Sequence, residues 1–133
     1  MSNREHFINT FRGETLGEIN SQTSEEELFQ NQSLRPILKL QNDLYIEIFK
    51  YYILKNKLPF GEFSIEKKLV YIEKTILNDN KFRNLLIGIT IGLFKIEEYI
   101  KYSKNASALN KRIITMLIER LKSQVQILDE PEN

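Results

Sequence analysis

Apolar side chains recur at three- and four-residue intervals along most of this chain, in runs separated by polar, glycine- or proline-containing breaks. That spacing is the period of an α-helix with one buried face; a half-buried strand would alternate instead. Leu34, Ile37, Leu38, Leu44, Tyr45, Ile48 and Tyr52 share one face, and Ile46, Phe49 and Ile53 stripe a second. Ile65, Leu69, Ile72 and Ile76 make the next run. Phe82, Leu85, Leu86, Ile89, Leu93, Ile96 and Ile100 make a third, and Leu109, Ile113, Met116, Leu117, Leu121 and Val125 a fourth. The β-branched stretch Ile87–Ile91 competes as a strand. It lies inside about twenty residues of helical spacing with no turn signal, so one helix is predicted over 80–103. The expected fold is all-α, with a four-helix bundle-like core.

Punctuation between the runs supplies the boundaries. Ser24 followed by Glu27 fits a capping box, and Glu25, Glu26 and Glu27 suit the positive end of a helix dipole. Pro36 lacks an N–H and crowds the preceding turn, which predicts a first helix bent or broken there, with pieces at about 25–33 and 35–56. Pro59 and Gly61 mark a loop over 56–63, after which Ser64 caps a helix to about Leu77. Asn78, Asp79 and Asn80 form a tight connection, and Ser103 to Asn105 another break. A last helix starts at Asn105 or Ser107 and runs to about Leu128. Residues 1–23 lack sustained periodicity and read as an irregular N-terminal arm with room for a short turn of helix. The organisation is thus an arm at 1–23, a helical domain at 24–128 and an acidic tail at 129–133.

Composition removes several kinds of chemistry. The chain has 133 residues, enough for one domain with a real core and no need of a metal or disulfide. It has no cysteine, and His6 is its only histidine. Thiol nucleophiles, cysteine-held metals and multi-histidine sites are therefore closed to it. Glu97 and Glu98 project about 100° apart on a helix and cannot chelate one ion together. There is no phosphate-binding glycine loop. Catalytic residues, metal ligands and cofactors are accordingly not assigned. The N-terminus has no apolar signal-peptide core, and the longest apolar run, Leu85–Phe94, is about half of a membrane span. The expectation is a cytoplasmic protein without a membrane partner; its Lys, Asn and Ile content suggests a bacterial source.

Nineteen basic residues nearly balance eighteen acidic ones, but unevenly: 80–128 is basic and 1–35 acidic. Polar residues gather at helix ends: Gln30, Asn31, Gln32, Arg35, Gln41, Asn42 and Asp43 around Pro36; Lys81, Arg83 and Asn84; and Asn105, Ser107, Asn110, Lys111 and Arg112. Capping of orphan backbone groups accounts for such positions. Gln41 falls on the apolar face and is expected in a polar network. The functional reading is that Arg35, Asn42, Arg83, Asn110 and Arg112 converge on a small anionic ligand or a partner's carboxylate. Residues 64–100 also admit a helix-turn-helix reading, with Lys81, Arg83 and Asn84 opening the second helix; its strongly apolar continuation argues against nucleic acid.

The segments Glu26–Leu44, Lys81-Phe82-Arg83-Asn84 and Ser107-Ala108-Leu109-Asn110-Lys111-Arg112 resemble a family of small uncharacterised Bacteroidetes all-helical proteins. The resemblance covers about residues 24–126. Some members carry the label glyoxalase, but no catalytic residues come with it. Glyoxalase-type folds use βαβββ units and a metal bound through His, Glu or Gln, which this pattern lacks.

Helices that are apolar on two faces exceed what one thin bundle needs, which predicts a homodimer. Gly88 and Gly92, four apart, would let another helix approach closely, first within the chain and second across a dimer. The leading expectation is a non-enzymatic helical protein acting through self-association or a protein partner. The alternatives are a small anionic-ligand-binding bundle using Arg35, Asn42, Arg83 and Arg112, and a weak nucleic-acid binder using the basic C-terminal half.

Overall fold

The computed structural model describes residues 2–12 and 24–129, and these are helical with no strand among them. The helices are α1 (Asn3–Arg12), α2 (Glu25–Phe29), α3 (Arg35–Leu40), α4 (Asn42–Lys55), α5 (Ile65–Asn78), α6 (Asn80–Ile91), α7 (Ile96–Ser103) and α8 (Ala106–Ser123). A π-helical turn, Gln30–Leu34, joins α2 to α3. Short 3-10 turns lie at Phe60–Glu62 and Ile127–Asp129.

The caps follow from local chemistry. Ser24 Oγ accepts from the Glu27 amide and Ser64 Oγ from the Lys67 amide, each at 3.1 Å. Asp79 Oδ1 takes the Phe82 amide at 3.0 Å and so starts α6. The Phe82 amide first, then the phenol of Tyr52 on Oδ2, and the amide and charge of Lys81 hold the Asp79 carboxyl below its ordinary value. At the end of α4 the Leu58 amide reaches back to the Ile53 carbonyl, with Lys57 at a positive φ of 54°. That is the left-handed C-terminal cap that glycine usually supplies.

Core packing joins distant runs. α5 lies against α6 and α8, and α6 against α8. Tyr45, Phe49, Ile72, Ile76, Leu86, Ile113, Leu117 and Leu121 are fully buried among them. Phe49 meets Tyr71 and Phe82 edge-on, and Phe60 also meets Tyr71. One polar bond crosses this apolar interior: Tyr45 to Thr90 at 2.7 Å, with the Thr90 hydroxyl also on the Leu86 carbonyl. Burial pushes the Tyr45 phenol up to about 12 despite that bond.

Several expectations are corrected. The irregular arm contains a helix, α1, from Asn3 to Arg12; residues 13–23 lie outside the described residues, as does the tail beyond Asp129. The helical backbone is not broken at Pro36, which sits in the first turn of α3 directly after the π turn; the chain turns at Gln41. The single helix expected over 80–103 is two, with the chain reset between Ile91 and Ile96. That reset turns Phe94, Glu98 and Tyr102 inward and leaves Ile96, Tyr99 and Ile100 exposed. Phe94 then packs edge-on against Phe29 and Tyr102, which a continuous helix would not allow from that position. Leu44, Ile65 and Leu85, expected inside, are exposed. The last helix ends at Ser123 and not near Leu128. A Cβ built on Gly88 meets nothing within 4 Å, so the glycine pair does not receive a neighbouring helix of this chain.

Candidate functional site: an arginine–glutamate node and two grooves

Pro36 creates the need that organises the first site. An α-helix would satisfy the Gln32 carbonyl with the amide of residue 36, and proline has none. The chain relieves the ring's crowding with the π turn, in which the Arg35 amide reaches back to the Gln30 carbonyl. The stranded Gln32 carbonyl takes its proton from Arg12 Nη2, at 2.9 Å. Longer bonds of 3.4 Å run from the same guanidinium to the carbonyls of Ser33 and Leu93.

Glu98 neutralises that guanidinium. Arg12 Nη1 and Nη2 meet Glu98 Oε1 and Oε2 at 2.5 and 3.1 Å, a two-pronged pairing with both side chains largely buried. Ser33 Oγ donates closely to the same carboxylate, and the Lys95 amide donates to Oε1 at 2.8 Å. Burial alone would raise the Glu98 carboxyl; the hydrogen bonds from Arg12, Ser33 and the Lys95 amide outweigh it and hold the group below its ordinary value.

The rest of α1 caps the reset between α6 and α7. Arg4 donates to the Gly92 carbonyl at 3.0 Å, and Glu5 Oε1 accepts from the Ile96 amide at 2.9 Å. A cation thus meets the carbonyl end of α6 and an anion the amide end of α7, as helix dipoles require. Ile8 is the one residue of α1 that is buried. The node forms part of the wall of an open groove of about 640 Å³, lined among others by Phe29, Ser33, Lys95, Glu98, Lys101 and Leu109. Its walls carry both signs of charge. Among the described residues no three acidic or histidine side chains gather as metal ligands would.

The residues singled out from sequence take separate partners. Arg83 turns back onto the Leu77 carbonyl and Asn80, each at 2.8 Å, capping the end of α5. Asn110 accepts from the Tyr102 hydroxyl at 2.5 Å. Arg112 is exposed along a groove with Glu26, Leu109 and Thr115. Asn42 forms a reciprocal amide pair with Gln124, 2.8 Å each way, and its oxygen also takes Arg120 Nη1 at 3.3 Å. Arg35 is exposed on a second groove of about 490 Å³, between α3 and α8, whose wall includes Leu38, Met116, Arg120 and Gln124. So Arg35 and Asn42 are brought to neighbouring places, joined by Arg120 and Gln124, while Arg83, Asn110 and Arg112 lie apart in other settings. Gln41 is half-buried at the α3–α4 turn, and the polar network expected of it is centred on Asn42 instead.

Arg12, Ser33, Glu98, Arg120 and Gln124 carry the polar architecture; of these only Glu98 stood out in the sequence, and only as half of a carboxylate pair with Glu97. One signal was present: a proline in a helical run strands the carbonyl four residues before it. Nothing local says which donor arrives. No family model, no curated protein and no solved structure matches the chain.

Proposed function

We propose that this is a non-enzymatic helical protein that works through association, first with a second copy of itself. The observation that supports the reading is α4, which is apolar on opposite sides. Tyr45, Ile46 and Phe49 are buried, while Leu44, Tyr51 and Leu54 point outward, 45%, 59% and 65% exposed. Large side chains left in water along one helix stripe are the signature of a surface that another chain covers. Gly88 has open space over it on α6 and leaves room for a close approach by such a partner.

We read the core as four-helix bundle-like, carried by α4, α5, α6 and α8, in a cytoplasmic bacterial protein. No described helix is long and apolar enough to cross a membrane. Light scattering across a range of concentrations tests the association. The expected mass is that of two chains, and replacing both Tyr51 and Leu54 with glutamate is expected to return it to one without loss of helicity. A strict monomer at all concentrations overturns the proposal.

A further inference from the structure

The groove between α3 and α8 holds two arginines whose donors are not used up. Arg35 is exposed, and among the described residues no acceptor lies on its guanidinium. Arg120 spends only Nη1, on Asn42 Oδ1 at a long 3.3 Å. Its position is nevertheless held: the Asn42–Gln124 amide pair sits against it, and Gln124 Nε2 also bonds the Arg120 carbonyl at 3.0 Å. The groove is also lined by the half-buried Met116, by Leu38, which is itself buried, and by the exposed Glu119.

We infer that this groove binds a short acidic–apolar segment of a partner protein, with one carboxylate held by Arg35 and Arg120 and an adjoining aliphatic side chain against Met116. The chemistry selects this occupant. A guanidinium fork is shaped for a carboxylate or phosphate, and arginine clusters are a recurrent device for reading acidic motifs. A small molecule is usually enclosed by its site, and this open groove between two helices suits an extended chain better. Glu119 leaves the groove with only a small excess of positive charge, which disfavours a continuous polyanion such as a nucleic acid and favours isolated carboxylates flanked by apolar residues. Methionine's flexible, polarisable side chain fits aliphatic groups of differing shape. The inference is independent of self-association through α4, which uses other residues.

A fluorescein-labelled nonapeptide with capped ends, alternating leucine with aspartate or glutamate, tests it by anisotropy against the full chain. Saturable binding is expected, weakening as salt is raised. R35Q is expected to weaken it several-fold and R35Q/R120Q at least tenfold, with R112Q, an exposed arginine elsewhere, unchanged. Arg35 is exposed, so R35Q keeps the test decisive should the double variant unfold. Four results would overturn the inference: no binding up to millimolar peptide; equal loss in R112Q; equal binding of the peptide with its acids replaced by amides; or tighter displacement of the label by inorganic phosphate or a single-stranded oligonucleotide than by unlabelled peptide.

Discussion

The core around Phe49 and the docking of α1 hold their parts by opposite means. Between α4, α5, α6 and α8 nearly every fully buried side chain is apolar, and Tyr45–Thr90 is a polar bond set within that packing. α1 buries one apolar side chain, Ile8, and is held by Arg4, Glu5 and Arg12, which bond backbone groups and one carboxylate. Apolar burial is non-directional and scales with area. The α1 bonds are directional, charged and few. The core should therefore yield to lost volume, and α1 to lost charge.

Substitution in the core should have the largest effect. Phe49→Ala removes a ring with no exposed surface and three aromatic neighbours. It is expected to cost about 3–5 kcal/mol of global stability, read as a shifted urea midpoint. Arg12→Ala should instead release α1. It leaves Glu98 as a buried charge without its cation, a penalty of about 3 kcal/mol if α1 stayed in place. Undocking lets water reach the carboxylate and caps that cost. Hydrogen exchange should show residues 3–12 unprotected, with α5, α6 and α8 unchanged. A fall in the global midpoint as large as that of Phe49→Ala would erase the distinction between the two regions.

pH should separate them without mutation. Glu98 titrates below its ordinary value of 4.5 when α1 is docked. Its contribution is complete above that value and is lost as pH falls through the lower, docked one. Amide protection of α1 should therefore fade on acidification before the core loses helicity. Tyr45 has the reverse sign: raised from 10.0 to about 12 in the fold, it makes the core lose stability as pH climbs through that window. Tyr45→Phe should make that alkaline limb shallower without removing it, because burial also raises Tyr52 to about 12 and raises Tyr71, measured as urea midpoints between pH 9 and 12. Lys57→Gly should have the smallest effect. It relieves a left-handed backbone at an exposed position just past the end of α4 and should stabilise by about 0.5–1 kcal/mol.

Helical spacing made the all-α character readable, together with the starts of α2, α5 and α6 at Ser24, Ser64 and Asp79. These depend on bonds within three or four residues, which is the range over which sequence neighbours act. The break between α6 and α7 was not readable. Leu93, Ile96 and Ile100 continue an acceptable stripe; only the fit of Phe94 against Phe29 and the caps from α1 make the reset the better solution. The candidate sites divide in the same way. Arg35 and Asn42 stood out as polar residues around Pro36. Their partners Arg120 and Gln124 come from the far end of the chain, where they look like ordinary residues of a solvated helix end.

By itself the sequence determined that this chain is helical, where most helices begin, and that one carbonyl near Pro36 would lack its usual donor. Tertiary structure alone decided that Arg12 would supply that donor, that Glu98 would be buried to balance it, and that Arg35 and Arg120 would share a groove. The physical reason is reach. Caps and helical periods are set by neighbours a turn away, whereas Arg12 and Glu98 stand 86 positions apart and meet only because the packing of the core brings them together.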